Sequence, residues 1–214
     1  MLRLTFVVDG FNLYHSVKDL QNIADSDYRW LDVRSLCASF LSAFGRNAQV
    51  ADIFYFSALA YHRERWRPGT VARHKSFLAA LSSTGVTVEL ARFKPKRIDY
   101  RCENCGHRGI LVRHEEKETD VAIATCIVGL AASPAVDGIV VMSGDTDLLP
   151  SLRMVKRISN KGVYLIFPFR RHSGALAGVA TRTFTLAERH YAAHQFPDPV
   201  ETAHGPIPRP AQWQ

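Results

Sequence analysis

The chain has 214 residues, of which 47% are hydrophobic, enough to bury a substantial core in one domain. Its 27 Lys and Arg residues exceed its 20 Asp and Glu residues, which gives a formal net charge of +7 and a pI near 9.4. This balance favours an anionic partner, nucleic acid first, with an ordinary solvated surface as the alternative. The apolar runs are too short for a membrane span or a signal peptide, and four cysteines do not suggest a disulfide framework. We therefore expect a cytoplasmic protein.

Strand-like apolar runs alternate with helical repeats along the chain. The pattern predicts six strands, at Leu4–Val8, Val50–Ser57, Val86–Arg92, Gly138–Met142, Val163–Phe167 and Thr183–Leu186. It predicts helices at about 33–44, 70–84, 120–132, 148–155 and 173–180. Strands that are apolar throughout and alternate with helices indicate a parallel sheet covered on both faces. We therefore predict an α/β fold with a mainly parallel sheet of about five to six strands.

Two segments stand apart from this alternation. An irregular basic stretch at about 93–114 carries the sequence CENCGH and is interpreted as an insertion. The segment 193–214 contains five prolines and few apolar residues, which predicts a disordered or loosely attached tail. The predicted domain therefore spans residues 1–192, with the insertion inside it and the tail after it.

Four aspartates lie where strands end or a helix begins. Asp9 ends the first strand, Asp145 and Asp147 follow the fourth, and Asp120 opens the apolar helix before it. Each has a bland interpretation as a turn residue or a helix cap. In an open parallel sheet, however, ligands bind beyond the carboxyl ends of the strands, so these carboxylates are expected to converge there. Like charges crowded together need a cation, and oxygen ligands alone indicate one or two Mg²⁺ or Mn²⁺ ions.

Such an ion can polarise a phosphodiester and activate water, which is the chemistry of a nuclease. The surrounding basic side chains, interleaved with aromatic residues, would hold neighbouring phosphates and bases. The residues predicted to contact RNA or phosphate in these basic stretches are Lys94, Lys96, Arg97, Arg170 and Arg171.

The segments VVDGFNLYH, EEKETDVAIA, VVMSGDTDLLPSLR and FPFRRHSGALAGVATRTFTL resemble the NYN domain, a branch of the PIN-like nuclease superfamily. This resemblance implies a Rossmann-like (PIN-like) three-layer sandwich with metal-dependent ribonuclease chemistry at its carboxyl edge. The implied metal ligands are Asp9, Asp120, Asp145 and Asp147. Asn12 resembles the family asparagine that orients the first aspartate or contacts phosphate, and Lys117 and Ser143 resemble phosphate neighbours.

The CENCGH stretch has the spacing of half a zinc site. Its candidate ligands for a structural Zn²⁺ are Cys102, Cys105, His107 and His114. A reduced loop without metal, or a metal shared between chains, would have the same spacing.

There are three candidate functions. The first is a metal-dependent ribonuclease, an endonuclease in preference to an exonuclease, with Asp9, Asn12, Asp120, Asp145 and Asp147 as its catalytic set. The second is a non-catalytic RNA-binding regulator with the same fold. The third is a haloacid-dehalogenase-type phosphatase, which needs a second aspartate two residues after the first. This chain has Phe11 at that position, so the phosphatase is set aside. RNA is the expected partner, no membrane contact is expected, and a homo-oligomer is left open.

Overall fold

A computed structural model describes residues 1–24 and 26–213. Its strands are β1 (Leu2–Asp9), β2 (Ala48–Ala58), β3 (Thr87–Arg101), β4 (Arg108–Lys117), β5 (Gly138–Met142), β6 (Gly162–Phe167) and β7 (Arg182–Thr185). Its helices are α1 (Gly10–Gln21), α2 (Val33–Ser39), α3 (Thr70–Ser83), α4 (Thr119–Ala132), α5 (Leu149–Ile158), α6 (Gly174–Ala177) and α7 (Glu188–Ala193). Short 3-10 turns lie at Leu41–Phe44, Tyr61–Arg63, Thr146–Leu148 and Ala211–Trp213.

The strands form one sheet in the order β4-β3-β2-β1-β5-β6-β7. Every pair is parallel except β3 with β4. The α/β prediction with a mainly parallel sheet is confirmed, although the sheet has seven strands. The chain winds outward in one direction from β1 to β3 and in the other from β5 to β7. The point of reversal therefore lies between the carboxyl ends of β1 and β5, where ligands bind in such sheets.

Helices cover both faces of the sheet and build a separate core on each. Leu4, Phe6 and Val8 of β1 pack with buried residues of α1, α2 and α3, whereas Val7 packs with those of α4, α5 and α6. This alternation of side chains along β1 produces the three layers. In the described part of the chain, no helix has both the length and the apolar character needed to cross a membrane.

Helix α1 follows β1 directly, at the Asp9-Gly10 pair that also has an interpretation as a turn. Asp9 is its N-cap, and Leu13 and Val17 face the core at helical spacing. A Cβ at Gly10 would lie 2.5 Å from the Phe56 carbonyl oxygen, so glycine is required here by the close approach of β2. Asp-Gly is therefore suited here to start a helix beneath a neighbouring strand as well as to form a turn.

The basic stretch predicted as irregular is a β-hairpin. Its ladder pairs β3 with β4 from Arg92–Lys117 to Arg101–Arg108, and the CENCGH residues form the turn. Only Thr87–Ala91 of β3 pairs with β2, so most of the hairpin extends past the carboxyl end of β2. Both faces are largely exposed, so the hairpin needs no apolar periodicity and gives no strand signal in the sequence.

The segment predicted as a loose tail is packed against the domain through residue 213; Gln214 lies outside the described residues. Phe196 and Trp213 are buried, and the Trp213 ring centroid lies 6.2 Å from those of both Trp30 and Phe77. Val200 and Ile207 form an antiparallel bridge across the proline-rich loop. A few widely spaced apolar anchors therefore hold a segment whose overall composition indicated disorder.

We expect Trp213→Ala to lower the free energy of unfolding by about 3 kcal/mol, because it empties a buried aromatic site. Trp213 is 8% exposed, whereas Trp66 is 76% exposed, so Trp66→Ala is a matched control expected to change stability by less than about 0.5 kcal/mol. Urea unfolding of both variants measures the difference. Equal stability of the two variants would show that the segment is not anchored.

Candidate active site

Asp9 occupies the point where the sheet reverses direction. Its Oδ1 accepts a hydrogen bond from the backbone N–H of Asn12 at 2.9 Å, and its Oδ2 accepts one from the Ser143 hydroxyl at 2.8 Å. The residue is only 4% exposed. The carboxylate is thus fixed between the start of α1 and the end of β5.

The loop after β5 is tied to the same point. The Ser143 Oγ accepts the backbone N–H of Asp145 at 3.1 Å, and Asp145 Oδ1 accepts that of Asp147 at 2.9 Å. The backbone N–H of Gly144 donates to the Asn12 Oδ1 at 3.0 Å. These bonds hold two loops from distant parts of the chain in one fixed relation.

Gly144 also brings the loop after β6 to the site. A Cβ at Gly144 would lie 1.8 Å from the carbonyl oxygen of Arg171, so no other residue fits without displacing that loop. Arg171 in turn binds Asp19 of α1, with its Nη2 at 2.5 Å from Oδ2. The close approach therefore positions the cationic side chain beside the acidic loops.

These elements enclose a cavity of about 350 Å³. It is lined by Asp9, Phe11, Asn12, His15, Glu116, Asp120, Asp145 and Arg171. Four carboxylates thus face one arginine whose charge is already shared with Asp19. The cavity is suited to a ligand that carries positive charge, or to an anion accompanied by a cation.

The carboxylates perturb one another. The pKa of Asp9 is raised from its usual 3.8 to about 6, by burial first and then by the negative charges of Asp145 and Asp120, against the two hydrogen bonds that lower it. The pKa of Asp120 is also raised, by burial first and then by Asp145, Glu116 and Asp147. A group of acids that resist ionisation together is typical of a functional site.

The structure brings together most of the predicted catalytic residues. Asp9, Asn12, Asp120 and Asp145 all line the cavity, whereas Asp147 is exposed in the 3-10 turn beside it. Asp147 is nevertheless near enough for its charge to raise the pKa of Asp120.

The predicted RNA contacts divide into several groups. Arg171 lines the cavity, whereas Ser143 is fully buried with its hydroxyl committed to Asp9, so it positions the carboxylate and does not face a phosphate. The other predicted contacts lie outside the cavity lining; they are Lys94, Lys96, Arg97, Lys117 and Arg170. The three lysines pair with Glu115 or Glu118. Those pairs reduce the positive charge that the hairpin offers.

Three cavity residues were missed from the sequence: Phe11, His15 and Glu116. Glu116 accepts the backbone N–H of Thr119 at 3.0 Å and also its hydroxyl, which caps the start of α4. Its position in the sequence, four residues before Asp120, could have suggested that it lies near the acidic cavity. Only the antiparallel pairing of β4 with β3 shows that β4 returns to the carboxyl edge of the sheet. The pKa of His15 is lowered by burial and by the charges of Arg171 and Lys18, so it is neutral near pH 7.

The candidate zinc ligands do not all lie together. Cys102, Cys105 and His107 are in the hairpin turn, but His114 pairs with Pro95, six residues along β4 from Arg108, or about 20 Å. The prediction of His114 as a ligand was therefore wrong. Backbone N–H groups of Cys105 and Asn104 lower the pKa of the Cys102 thiol. Zinc binding by the three turn residues stays a prediction.

The acidic cavity was tested for its fit to a divalent ion. Within residues 1–24 and 26–213, no three His, Cys, Asp or Glu side chains are grouped closely enough to hold one ion as they stand. The donor chemistry does fit, because carboxylate oxygens are the ligands that Mg²⁺ and Mn²⁺ prefer. Burial first, and repulsion among the carboxylates second, raise the pKa values of Asp9 and Asp120, and a bound cation would offset the repulsion.

Comparisons with known proteins identify a family and a fold. The profile of the NYN domain matches residues 3–187. A solved structure of VPA0982, a protein of unknown function from Vibrio parahaemolyticus, superposes with a TM-score of 0.55 and 19% identity over 87% of this chain and 94% of that one. At that identity the similarity shows the fold alone. A Sir2 complex with the inhibitor EX-527 gives a TM-score of 0.31 at 10% identity, over 86% of this chain and 87% of that one, and carries no argument. No curated protein matches the chain.

Asp9 should make the metal-free protein less stable as the pH rises. Because its folded pKa is about 6 against an ordinary 3.8, its favourable contribution is complete below pH 4 and is lost as the pH rises through 6. At about 1.4 kcal/mol per pH unit the loss is roughly 3 kcal/mol. We expect Asp9→Asn, still a good helix cap, to raise the free energy of unfolding by about 1–2 kcal/mol at pH 8 and to gain little at pH 4.

Asp32 supplies the control for this experiment. It caps α2 through a 2.9 Å bond from the Ser35 backbone N–H and lies outside the acidic cavity. Denaturant unfolding in chelator should therefore show no pH-dependent gain for Asp32→Asn. Parallel pH profiles for wild type and Asp9→Asn would contradict the proposed ionisation of Asp9.

Proposed function

The chain belongs to the NYN domain family, and on that premise we propose that it is a divalent-metal-dependent ribonuclease that cleaves RNA at the acidic cavity. NYN domains are in general nucleases that act on RNA. The observation that carries the proposal is the convergence of Asp9, Asp120 and Asp145, from three distant segments, on one cavity at the reversal point of the sheet. A cytoplasmic location is part of the proposal and rests on composition alone.

The carboxylates of Asp9, Asp120 and Asp145 would hold Mg²⁺ or Mn²⁺, with Asp147 beside them at the cavity. Such an ion supplies Lewis-acid polarisation of the scissile phosphate. The orientation of the ligands comes from the chain itself. Ser143 and the backbone of Asn12 fix both oxygens of Asp9, and the Asn12 side chain fixes the loop that carries Asp145. This preorganisation spares the site from rearranging when substrate binds.

Two further side chains would act on the substrate. Arg171 is the cation that lines the cavity, so its guanidinium is placed to bind a phosphate oxygen. His15 is neutral and can donate from one ring nitrogen while it accepts at the other, which suits contact with a ribose hydroxyl.

We propose endonuclease action because the surfaces suited to RNA extend well beyond the acidic cavity. The basic β3–β4 hairpin continues past the carboxyl end of β2, and a second, arginine-rimmed cavity shares a wall with the acidic one. Contacts along an RNA chain, rather than in a pocket built for its end, favour an internal cut.

Asp145→Asn should reduce Mn²⁺-dependent cleavage of labelled RNA by at least about 100-fold, because it removes one carboxylate from the predicted metal site. RNA binding should persist, since fewer negative charges face the phosphates. The matched control is Asp52→Asn. Asp52 is exposed on β2, before the residues of that strand that pair with β3, so this variant should cleave RNA as the wild type does.

Chelator should abolish cleavage by the wild type, and Mn²⁺ or Mg²⁺ should restore it. Equal cleavage by Asp145→Asn and wild type would contradict the proposed site. Tight RNA binding by the wild type without cleavage in either metal would favour the non-catalytic RNA-binding regulator.

A further inference from the structure

A second cavity, of about 430 Å³, lies directly beside the acidic one. Phe11, His15 and Glu116 line both cavities, so the two are separated by a single wall of side chains. The second cavity lies between α1, the end of β2, the segment 60–70 and the start of α3. Any polymer bound with a phosphate in the acidic cavity therefore has its neighbouring unit within reach of this one.

The interior of the second cavity suits a flat, partly polar ring. Leu13, Tyr55 and Phe77 supply apolar and aromatic surface. The Ser57 hydroxyl and the His74 Nε2 lie 3.2 Å apart on its wall, and burial lowers the pKa of His74 to about 4, so that this pair is neutral. Aromatic surface with uncharged hydrogen-bonding groups is the environment that proteins offer to nucleobases taken out of a stack.

The rim of the cavity is cationic. Lys18, Arg63, Arg67 and Arg73 line it, whereas Glu116 is its single acid among the described residues. Within residues 1–24 and 26–213, Arg63 and Arg67 form no salt bridge, and both are exposed. Their charges are therefore free for a phosphate. A purely apolar ligand would leave this rim unused, so its charge favours a nucleotide.

One wall of this cavity comes from outside the matched domain. Trp213 lines it and lies beyond residues 3–187, in the C-terminal segment that packs against Trp30 and Phe77. Its indole N–H is buried and has no hydrogen-bond partner among the described residues. The cavity is thus completed by a segment that lies outside the matched domain.

We propose that this cavity, here called the base pocket, takes one unstacked base of the RNA strand whose phosphate occupies the acidic cavity. Arg63 and Arg67 bind the adjoining backbone phosphate, and Tyr55 and Phe77 contact the base. A base inside the pocket cannot be paired, so the substrate class is single-stranded RNA or an unpaired loop. The inference rests on the proposed ribonuclease function for the phosphate in the acidic cavity.

The test measures binding, so that it does not depend on cleavage. The full chain carrying Asp145→Asn is titrated with a short fluorescent single-stranded RNA and with an abasic oligomer of the same length. Ala60→Trp, which adds bulk to the wall of the base pocket, should weaken binding of the RNA about tenfold and leave binding of the abasic oligomer unchanged. Ala72→Trp, exposed on α3 outside the pocket, is the size-matched control and should change neither.

Arginine variants test the rim without filling the pocket. Arg63→Gln and Arg67→Gln should each lower the slope of log Kd against log salt concentration by about 0.7 for single-stranded RNA. Arg65→Gln, in the same segment but outside the pocket lining, should leave the slope unchanged. All variants are first checked for a wild-type melting transition, and the arginine variants still test the proposal if Ala60→Trp fails to fold.

Three results would overturn the base pocket: an unchanged RNA affinity in Ala60→Trp, an equal loss for RNA and the abasic oligomer, or AMP binding more tightly than RNA. The last result would indicate a mononucleotide site instead. Failure of the ribonuclease proposal is a separate observation, the absence of metal-dependent cleavage by wild type. The protein can bind RNA more tightly than the abasic oligomer, or fail to, whether or not the wild type cleaves RNA.

Discussion

The buried carboxylate of Asp9 at the junction of β1 and β5 is the constraint on which the rest of the site depends. The register pairs Val8 with Met142, so Asp9 and Ser143 are the next residues on two adjacent parallel strands. Burial of a charge is costly unless donors satisfy it, and here the donors are the Asn12 backbone and the Ser143 hydroxyl. The hydrogen bond from Asn12 to Oδ1 caps the start of α1. The hydrogen bond from Ser143 to Oδ2 fixes the loop that carries Asp145. A single buried charge thus specifies the local structure of two loops.

The same buried carboxylate lowers the stability of the fold. Hydrogen bonds favour the ionised form of Asp9, but burial and the nearby carboxylates of Asp145 and Asp120 outweigh them and raise its pKa to about 6. A protein selected for stability alone would place an apolar or amide side chain here. Several carboxylates in one cavity are therefore costly unless a ligand compensates their charge. Gly144 is part of the same arrangement, because only a residue without a Cβ leaves room for the backbone of the Arg171 loop.

Much of the site could be predicted because parallel strands bring their carboxyl ends to one edge. Apolar runs located β1 and β5, and this rule alone placed Asp9 near Asp145. The features that were missed depend on tertiary contacts without a local signal. Glu116 reaches the edge only because β4 runs antiparallel in an exposed hairpin, and Trp213 is anchored only by its partners Trp30 and Phe77. Composition averaged over a segment cannot reveal a single anchoring residue.

The wall shared by the two cavities joins the acidic residues to the proposed base pocket. The rings of Phe11 and Phe93 meet edge to face with centroids 5.8 Å apart, which joins α1 to the base of the hairpin. Phe93 pairs in register with Glu116, so the strand position that places one ring beside the base pocket also places a carboxylate in the acidic cavity. A shift of the hairpin would move both together. An RNA bound as proposed would act on the same element that carries Glu116 and leads into α4 and Asp120, so substrate selection would be mechanically linked to the alignment of the acidic residues.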